Sequence, residues 1–479
     1  MLVKLFFREV EVTGLEHVPL SRGGVVVSWH PNGLVDPALI LTQFPEQVVF
    51  GARHGLFAWP GLGTLLRSIG TVPIHRAMDV QGGDPAARRA ANARTIDALA
   101  RAVAEGSFSA LFPEGVSHDA PHLMELKTGA ARLYYRAREL RPEGAEPPVI
   151  VPVGLHYDDK HLFRSRALVW FHPPIELPAD LDVRPQPDEP DEITKARARK
   201  LTDEIERVLR EVVHATEDWS IHQLLHRGRK LIRAERAHLA GAEPGKPRIG
   251  EVALGFARVR AGYYARLASD PPRVQAARLR VERYDADLRA LGLEDHELDQ
   301  PPALVSARLV GLLVLQVVLV FVLVPPVFLF GYLVNGPSAL ALLALARVGA
   351  RLKKDTATIK LVGGALLFPL TWLAAAVLTM LLHERLAVLY PTLPRAAFLA
   401  GVFVALVAAL GGAVALRYLH VAAETARAVR VRLTRVRQSE TIERLRAERA
   451  ALHDELVDLA SGLDLPGVVA ADGSVRTAR

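Results

Sequence analysis

Apolar positions recur along this chain in three successive rhythms. Up to about residue 180, compact apolar runs alternate with longer stretches of helical spacing. Gly24–Trp29, Val48–Ala52 and Thr71–Ile74 read as strands. From Ala86 to Glu105 the residues Ile96, Leu99 and Val103 fall on one helix face, and Gly106 stops the helix. Ser107–Phe112 reads as a strand, Gly129–Leu140 as a helix, and Val149–Leu155 and Leu168–Phe171 as strands. Strands alternating with helices predict a layered α/β domain around a largely buried sheet, over residues 1–183. The Pro- and acid-rich stretch Arg184–Glu192 reads as a linker. After it, Leu201, Ile205, Val208, Leu209 and Val212 mark an amphipathic helix. It opens a charged helical connecting region, 193–305, with breaks at Gly241–Gly245 and Asp270–Pro272. That region is expected to be a spacer or an arm packed on the α/β domain.

In the third rhythm there is almost no polar interruption. Leu361–Leu382 and Ala396–Leu416 are each long enough to cross a hydrocarbon core of about 30 Å. Leu309–Val334 is also long enough, but Pro325-Pro326 removes two backbone donors near its middle. The membrane region is therefore expected over 306–416, with 309–334 re-entrant or spanning, and a basic helical tail over 417–479. Arg347, Arg351, Lys353, Lys354 and Lys360 follow the first run; Arg417, Arg427, Arg430, Arg432, Arg435 and Arg437 follow the last. The positive-inside tendency keeps both basic segments cytosolic if the first run turns back at its prolines. In the tail, Ile442, Leu445, Leu452, Leu456 and Leu459 recur at heptad-like spacing, interrupted by Arg449. An amphipathic helix on membrane or protein is expected there.

Composition narrows the chemistry. At 479 residues the chain exceeds one hydrophobic core. It has no Cys, which excludes disulfides, thiolate metal sites and a Cys nucleophile. A net charge of +7 points to an anionic partner, a membrane surface or phosphate. No zinc-finger spacing or aromatic RNA-binding signature accompanies it, so nucleic acid is not expected. Residues Met1–Arg8 hold too short an apolar stretch for a signal peptide, and the first domain is expected to stay cytosolic.

Four motifs lie at strand ends, where α/β domains place binding and catalytic groups. The first is Ser28-Trp29-His30-Pro31-Asn32-Gly33-Leu34-Val35-Asp36-Pro37. Its Pro-Asn-Gly turn could fold Asp36 back towards His30, giving a histidine of fixed tautomer suited to general-base work. Asp36-Pro37 is equally a helix N-cap signal, so both readings are open. The second, Gly70 to Arg76, ends in a cation suited to phosphate, or in a merely exposed Arg. The third, Leu111-Phe112-Pro113-Glu114-Gly115-Val116-Ser117-His118-Asp119, aims a carboxylate at the same edge, with Gly115 either admitting a ligand or simply turning the chain. Lys127-Thr128-Gly129-Ala130 then opens a helix and offers a Lys and free N–H groups to a phosphate. The fourth, Val149 to His156, is by itself a core strand.

In this order and with these gaps, the four motifs resemble the glycerolipid acyltransferase family over residues 8–175. That family includes bacterial lysophosphatidate acyltransferases and fungal glycerol-3-phosphate/dihydroxyacetone-phosphate acyltransferases. The resemblance implies an acyltransferase fold, with His30 as general base, Asp36 as its orienting partner, and Arg76, Glu114 and Gly115 in acceptor binding. Lys127 and Arg53 are further candidates for the phosphate. It also implies direct transfer from acyl-CoA or acyl carrier protein to a phosphorylated glycerol in a membrane setting, without acyl-enzyme, metal or cofactor. Five residues separate His30 from Asp36 where the family's usual motif has four, and Phe-Pro-Glu-Gly-Val-Ser-His-Asp replaces a Thr-Arg continuation. Both features are more similar to the fungal glycerol-3-phosphate branch. Two alternatives stand beside this: acylation of 1-acyl-glycerol-3-phosphate, and a catalytically inactive lipid-binding scaffold.

Overall fold

The computed structural model describes residues 3, 6–58, 62–68, 71–74, 85–186, 188–242, 245–299, 307–323, 329–349 and 355–477. The chain divides into two compact units. One comprises Met1–His222 with Arg248–Ala253 and Leu352–Ala357, the other Gln223–Pro247, Leu254–Arg351 and Thr358–Arg479.

In the first unit the elements run β1 (Glu9–Thr13), β2 (Gly24–Ser28), α1 (Val35–Gln43), β3 (Val48–Arg53), α2 (Leu62–Ser68), β4 (Val72–Ile74), α3 (Pro85–Ala104), β5 (Phe108–Leu111), α4 (Gly129–Leu140), β6 (Val149–Tyr157), β7 (Arg166–Phe171) and α5 (Asp191–Val212). The strands form one mixed sheet in the order β1-β7-β6-β2-β5-β3-β4. β2 to β6 are mutually parallel, while β7 runs antiparallel to β6 and parallel to β1. The uninterrupted apolar run of β2 suits its central place, where all five residues are buried. The alternating Glu-Val-Glu-Val-Thr of β1 suits a half-exposed sheet edge.

One sheet face is covered by α3, α4 and α5. Val25, Val27, Ile150, Leu99, Val103, Leu133 and Tyr134 form its core. α5 joins that same core through Leu201, Ile205, Leu209 and Val212, buried at helical spacing. The helix expected to open a connecting region thus belongs to the first unit. Its start is set by Pro190, with Asp191 and Glu192 in the first turn where the helix dipole favours acids.

Among the described residues, the second unit is helical apart from a two-stranded hairpin. The break expected at Asp270–Pro272 is a helix boundary: the Asp270 side chain caps Pro271–Leu291, which Gly292 ends in the left-handed region. Helix Ser439–Leu459 buries Ile442, Leu445 and Leu452 in one apolar cluster. Arg449 does not interrupt that seam; it is 1% exposed and lies within it. Its guanidinium reaches Glu235 Oε2 at 2.6 Å and both Asp299 oxygens at 2.7 and 2.8 Å.

The apolar run 309–334 is divided between helix Ala307–Val318, which continues as a π-helical turn Leu319–Leu323, and helix Leu329–Gly349. The Pro325-Pro326 turn expected from the sequence lies outside the described residues. Among the described residues, three helices are long and apolar enough to cross a membrane: Gly331–Gly349, Thr356–Leu389 and Ala397–Arg437. The first candidate span is therefore displaced towards the carboxyl terminus from the one expected. Asn335, buried among them, donates to Gly331 O and Ala408 O at 3.0 and 2.9 Å and accepts from Trp372 Nε1 at 2.9 Å. A β-carbon at Gly331 would stand 3.0 Å from Gly411 O, so these two backbones meet at glycine.

Candidate active site

Adjacent strands β6, β2 and β5 all end at one edge of the sheet, and the chain segments leaving them interlock. β2 ends at Ser28, and the chain turns through Asn32 and Gly33, whose φ is 46°, into α1. Asp36 lies in the first turn of α1. It does not cap the helix: Leu34 holds that place and has no side-chain cap, so the N-cap reading of Asp36 is corrected. The turn brings the Asp36 carboxylate back to the segment that precedes it. Oδ2 accepts the Asn32 N–H at 2.6 Å and lies 2.8 Å from His30 Nδ1. The five-residue spacing closes the contact. A carboxylate only accepts, so Nδ1 carries the proton, and the lone pair of the neutral ring is on Nε2, across the ring from Asp36. The ring is 18% exposed, Asp36 is fully buried, and Phe112 stacks on the ring at 4.2 Å between centroids.

Glu114 fixes the backbone of the same histidine. Its Oε2 accepts the His30 N–H at 2.8 Å, and its Oε1 accepts the Met124 N–H at 2.8 Å and His118 Nε2–H at 2.7 Å. His118 Nδ1 in turn accepts the Ala120 N–H at 3.2 Å, which makes His118 a neutral ring protonated on Nε2. The backbone N–H of His118 returns to His30 O at 3.0 Å. From the resemblance, Glu114 is expected beside the acceptor. The structure gives both its oxygens to protein donors and buries its side chain completely.

Gly115 has φ 67°, and its N–H closes a turn on Phe112 O at 3.0 Å. An added β-carbon would meet only Lys127 Cγ, at 4.0 Å, so the backbone conformation and not lack of room is what calls for glycine. Lys127 lies just before α4 and is mostly exposed, with Nζ 3.2 Å from Glu125. Arg53 closes β3, so its backbone reaches the same carboxyl edge as β2. Arg76 lies outside the described residues.

Two contributors escaped the sequence reading. Tyr157, the last residue of β6, donates its hydroxyl to Asp36 Oδ1. Lys160 ties the segments together: its Nζ donates to Pro31 O at 2.9 Å and pairs with Asp119 Oδ1 at 2.8 Å, while its carbonyl accepts from Asn32 Nδ2 at 3.1 Å. The signal for Tyr157 was the strand period, which puts Val153, Leu155 and Tyr157 on one face and His156 on the other.

Residues 9–156 match the family model Acyltransferase, and residues 251–465 match the model Glycerol-3-phosphate acyltransferase 2 C-terminal domain. The chain is 23% identical over 386 residues to an uncharacterized acyltransferase of Schizosaccharomyces pombe, covering 62% of this chain and 54% of that protein. It is 26% identical to Glycerol-3-phosphate O-acyltransferase 1 of Saccharomyces cerevisiae, over 56% of this chain and 35% of the relative. It is 29% identical to Glycerol-3-phosphate O-acyltransferase 2 of the same yeast, over 40% and 23%. The matches thus span about half or less of the relatives' own lengths. Among solved structures, the 1-acyl-sn-glycerophosphate acyltransferase PlsC of Thermotoga maritima is 17% identical with a TM-score of 0.28, covering 43% of this chain and 75% of that one.

Proposed function

We propose that this chain, which joins an acyltransferase domain to a glycerol-3-phosphate acyltransferase 2 C-terminal domain, transfers a fatty acyl group from a thioester to a hydroxyl of glycerol-3-phosphate or dihydroxyacetone phosphate. The observation that carries the reading is the His30–Asp36 pair, 2.8 Å apart, on a ring that stacks against Phe112. Nε2 takes the proton of the acceptor hydroxyl as its oxygen attacks the thioester carbonyl carbon. Asp36 stabilises the imidazolium so formed. The tetrahedral intermediate collapses with cleavage of the C–S bond, and the thiolate leaves with the proton carried by His30. Arg76, with Lys127 or Arg53, is assigned the acceptor phosphate on the resemblance of the motifs. The donor is acyl-CoA or acyl carrier protein.

The reaction takes place at a membrane, and we place the catalytic domain on its cytosolic side. Support comes from the second unit. Helices Asp355–Leu389 and Ala397–Arg437 meet where Gly401 faces Met380 and Ala376, near the link that joins them, as an antiparallel hairpin does. Lys360 near the start of one and the arginines 417–437 at the end of the other then share one side. Labelling of single cysteines introduced into the tail checks this; a tail reached only from outside overturns the orientation.

Acyl transfer is tested with membranes holding the wild type or His30→Ala, given palmitoyl-CoA and radiolabelled glycerol-3-phosphate or its 1-acyl form. Loss of the base is expected to lower the rate by about a hundred- to ten-thousandfold. Transfer to the 1-acyl form alone would move the acceptor, and a fully active His30→Ala would remove the mechanism.

A further inference from the structure

Tyr157 belongs to none of the motifs, and the reaction as written gives it no part. Its position follows from strand register. β6 lies parallel to β2 with Val153 opposite Ser28, and it runs on past that level to Tyr157, beside the turn into which β2 leads. The ring stacks on Phe7, 5.8 Å between centroids, so the phenol has little freedom to swing away. Its hydroxyl donates to Asp36 Oδ1. Desolvation, and then the neighbouring Asp36, hold that hydroxyl protonated to well above its ordinary range, so it acts as a lasting donor.

The two oxygens of Asp36 are therefore used differently. Oδ2 serves His30 Nδ1 and the Asn32 N–H; Oδ1 serves Tyr157. With all three donors in place the carboxylate cannot rotate without breaking a bond, and part of its charge is drawn away from the imidazole. Other ionisable groups nearby act on the backbone of the motif: Glu114, partnered by His118, on the His30 N–H, and Lys160, partnered by Asp119, on Pro31 O. We propose that Tyr157 is a positioning residue for His30: it locks the Asp36 carboxylate and moderates the charge that the histidine senses. The proposal rests on His30 serving as the base of acyl transfer.

The test uses the full chain in detergent micelles, with Tyr157→Phe and with Tyr157 replaced by 3,5-difluorotyrosine. The fluorinated phenol keeps the shape and is a stronger donor, which covers the case where Tyr157→Phe does not fold. Two quantities are followed against pH: kcat/KM with glycerol-3-phosphate and palmitoyl-CoA, and modification of His30 by diethyl pyrocarbonate, located by mass spectrometry. With Phe the acid limb of the rate profile is expected to move to higher pH by about half to one unit, a loss of roughly three- to tenfold on that limb. KM for both substrates stays the same. With the fluorinated residue the limb moves to lower pH, and the modification curves move in the same directions. Curves that superimpose on the wild type in both variants overturn the proposal. Should the wild type transfer no acyl group, the reading of the reaction fails, yet the modification of His30 still shows whether Tyr157 acts on it.

Discussion

Replacing Asp36 by asparagine separates the two services that the carboxylate performs for His30, holding the tautomer and balancing the charge. An asparagine offers one oxygen and one NH2. The Asn32 N–H and His30 Nδ1 point at the same atom, Oδ2, at 2.6 and 2.8 Å. An NH2 placed there would face the Asn32 donor, whereas the amide oxygen keeps both bonds and turns the NH2 towards Tyr157. The Tyr157 hydroxyl, a donor in the native site, can rotate and accept. The variant is therefore expected to keep the proton on Nδ1 and to lose only the negative charge. For charge centres about 4 Å apart at an effective dielectric constant near 20, that charge is worth about 4 kcal/mol to a full imidazolium. A transition state with the proton about half transferred senses roughly 2 kcal/mol, a rate loss of about thirtyfold. Full transfer would bring the loss to about a thousandfold. A reversed tautomer would leave no lone pair on Nε2, and the loss would approach about ten-thousandfold. Single-turnover transfer from palmitoyl-CoA to radiolabelled glycerol-3-phosphate, compared for wild type, Asp36→Asn and His30→Ala, decides. A loss of about ten-thousandfold in Asp36→Asn, or a rate equal to wild type, rules out a retained tautomer with only the charge lost. Adding Tyr157→Phe to Asp36→Asn strands the NH2 and should lower the rate further.

Three other expectations concern stability. Burial lowers the His156 pKa to about 3 and those of His172 and His222 to about 4. The unfolded chain takes up these protons near pH 6.5 and the folded chain does not, so stability present at neutral pH is lost as pH falls from about 7 towards 4, by up to about 2 kcal/mol per ring at pH 5. Tryptophan-fluorescence melting in detergent should show it, and a Tm unchanged between pH 7.5 and 5 would contradict it. Arg449→Met leaves Glu235 and Asp299 without their guanidinium in a buried setting and should destabilise the second unit by about 3–5 kcal/mol. Equal denaturation midpoints for variant and wild type would rule that out. Asn335→Leu removes three hydrogen bonds among the apolar helices and should weaken their packing by roughly 1–2 kcal/mol, read by unfolding in lipid bicelles; no change would show that lipid or water replaces them.

The parts legible in the sequence were those governed by local period. The helix expected over Gly129–Leu140 is present with those bounds, because Ala130, Leu133, Tyr134 and Ala137 form a single buried stripe. The strands carrying the motifs were legible because central parallel strands are apolar throughout. β1 was not, since a half-exposed edge strand of five residues with two glutamates carries little apolar signal. α1 was read only as a capping signal, because the turn before it is set by Asp36 bonding back to Asn32 and not by a residue at the cap. Arg449 looked like a break in an apolar repeat. Its acidic partners, Glu235 and Asp299, lie 150 or more residues away in sequence, and no local pattern announces them. The same holds for Tyr157 and Asp36, 121 residues apart.

Two carboxylates hold one histidine, and the way they divide the task constrains how an acceptor can arrive. Glu114 spends both oxygens on His30, His118 and Met124, so it holds the peptide from which the ring projects. Asp36 holds the ring by Nδ1. Phe112 covers one ring face at 4.2 Å. What remains is the Nε2 edge, on the side of the ring away from Asp36. A hydroxyl that gives its proton to Nε2 must come in along that edge, in the plane of the ring where the lone pair lies. The acceptor phosphate would then sit farther out, beyond the reach of a buried Glu114. The cations proposed for it are Arg53, whose strand β3 ends at this edge, and Lys127, just before α4. With His30 as the proposed base, Glu114 would act on the acceptor through His30, and substitutions at Glu114 should lower kcat through displacement of that histidine before they alter the affinity for the proposed phosphate.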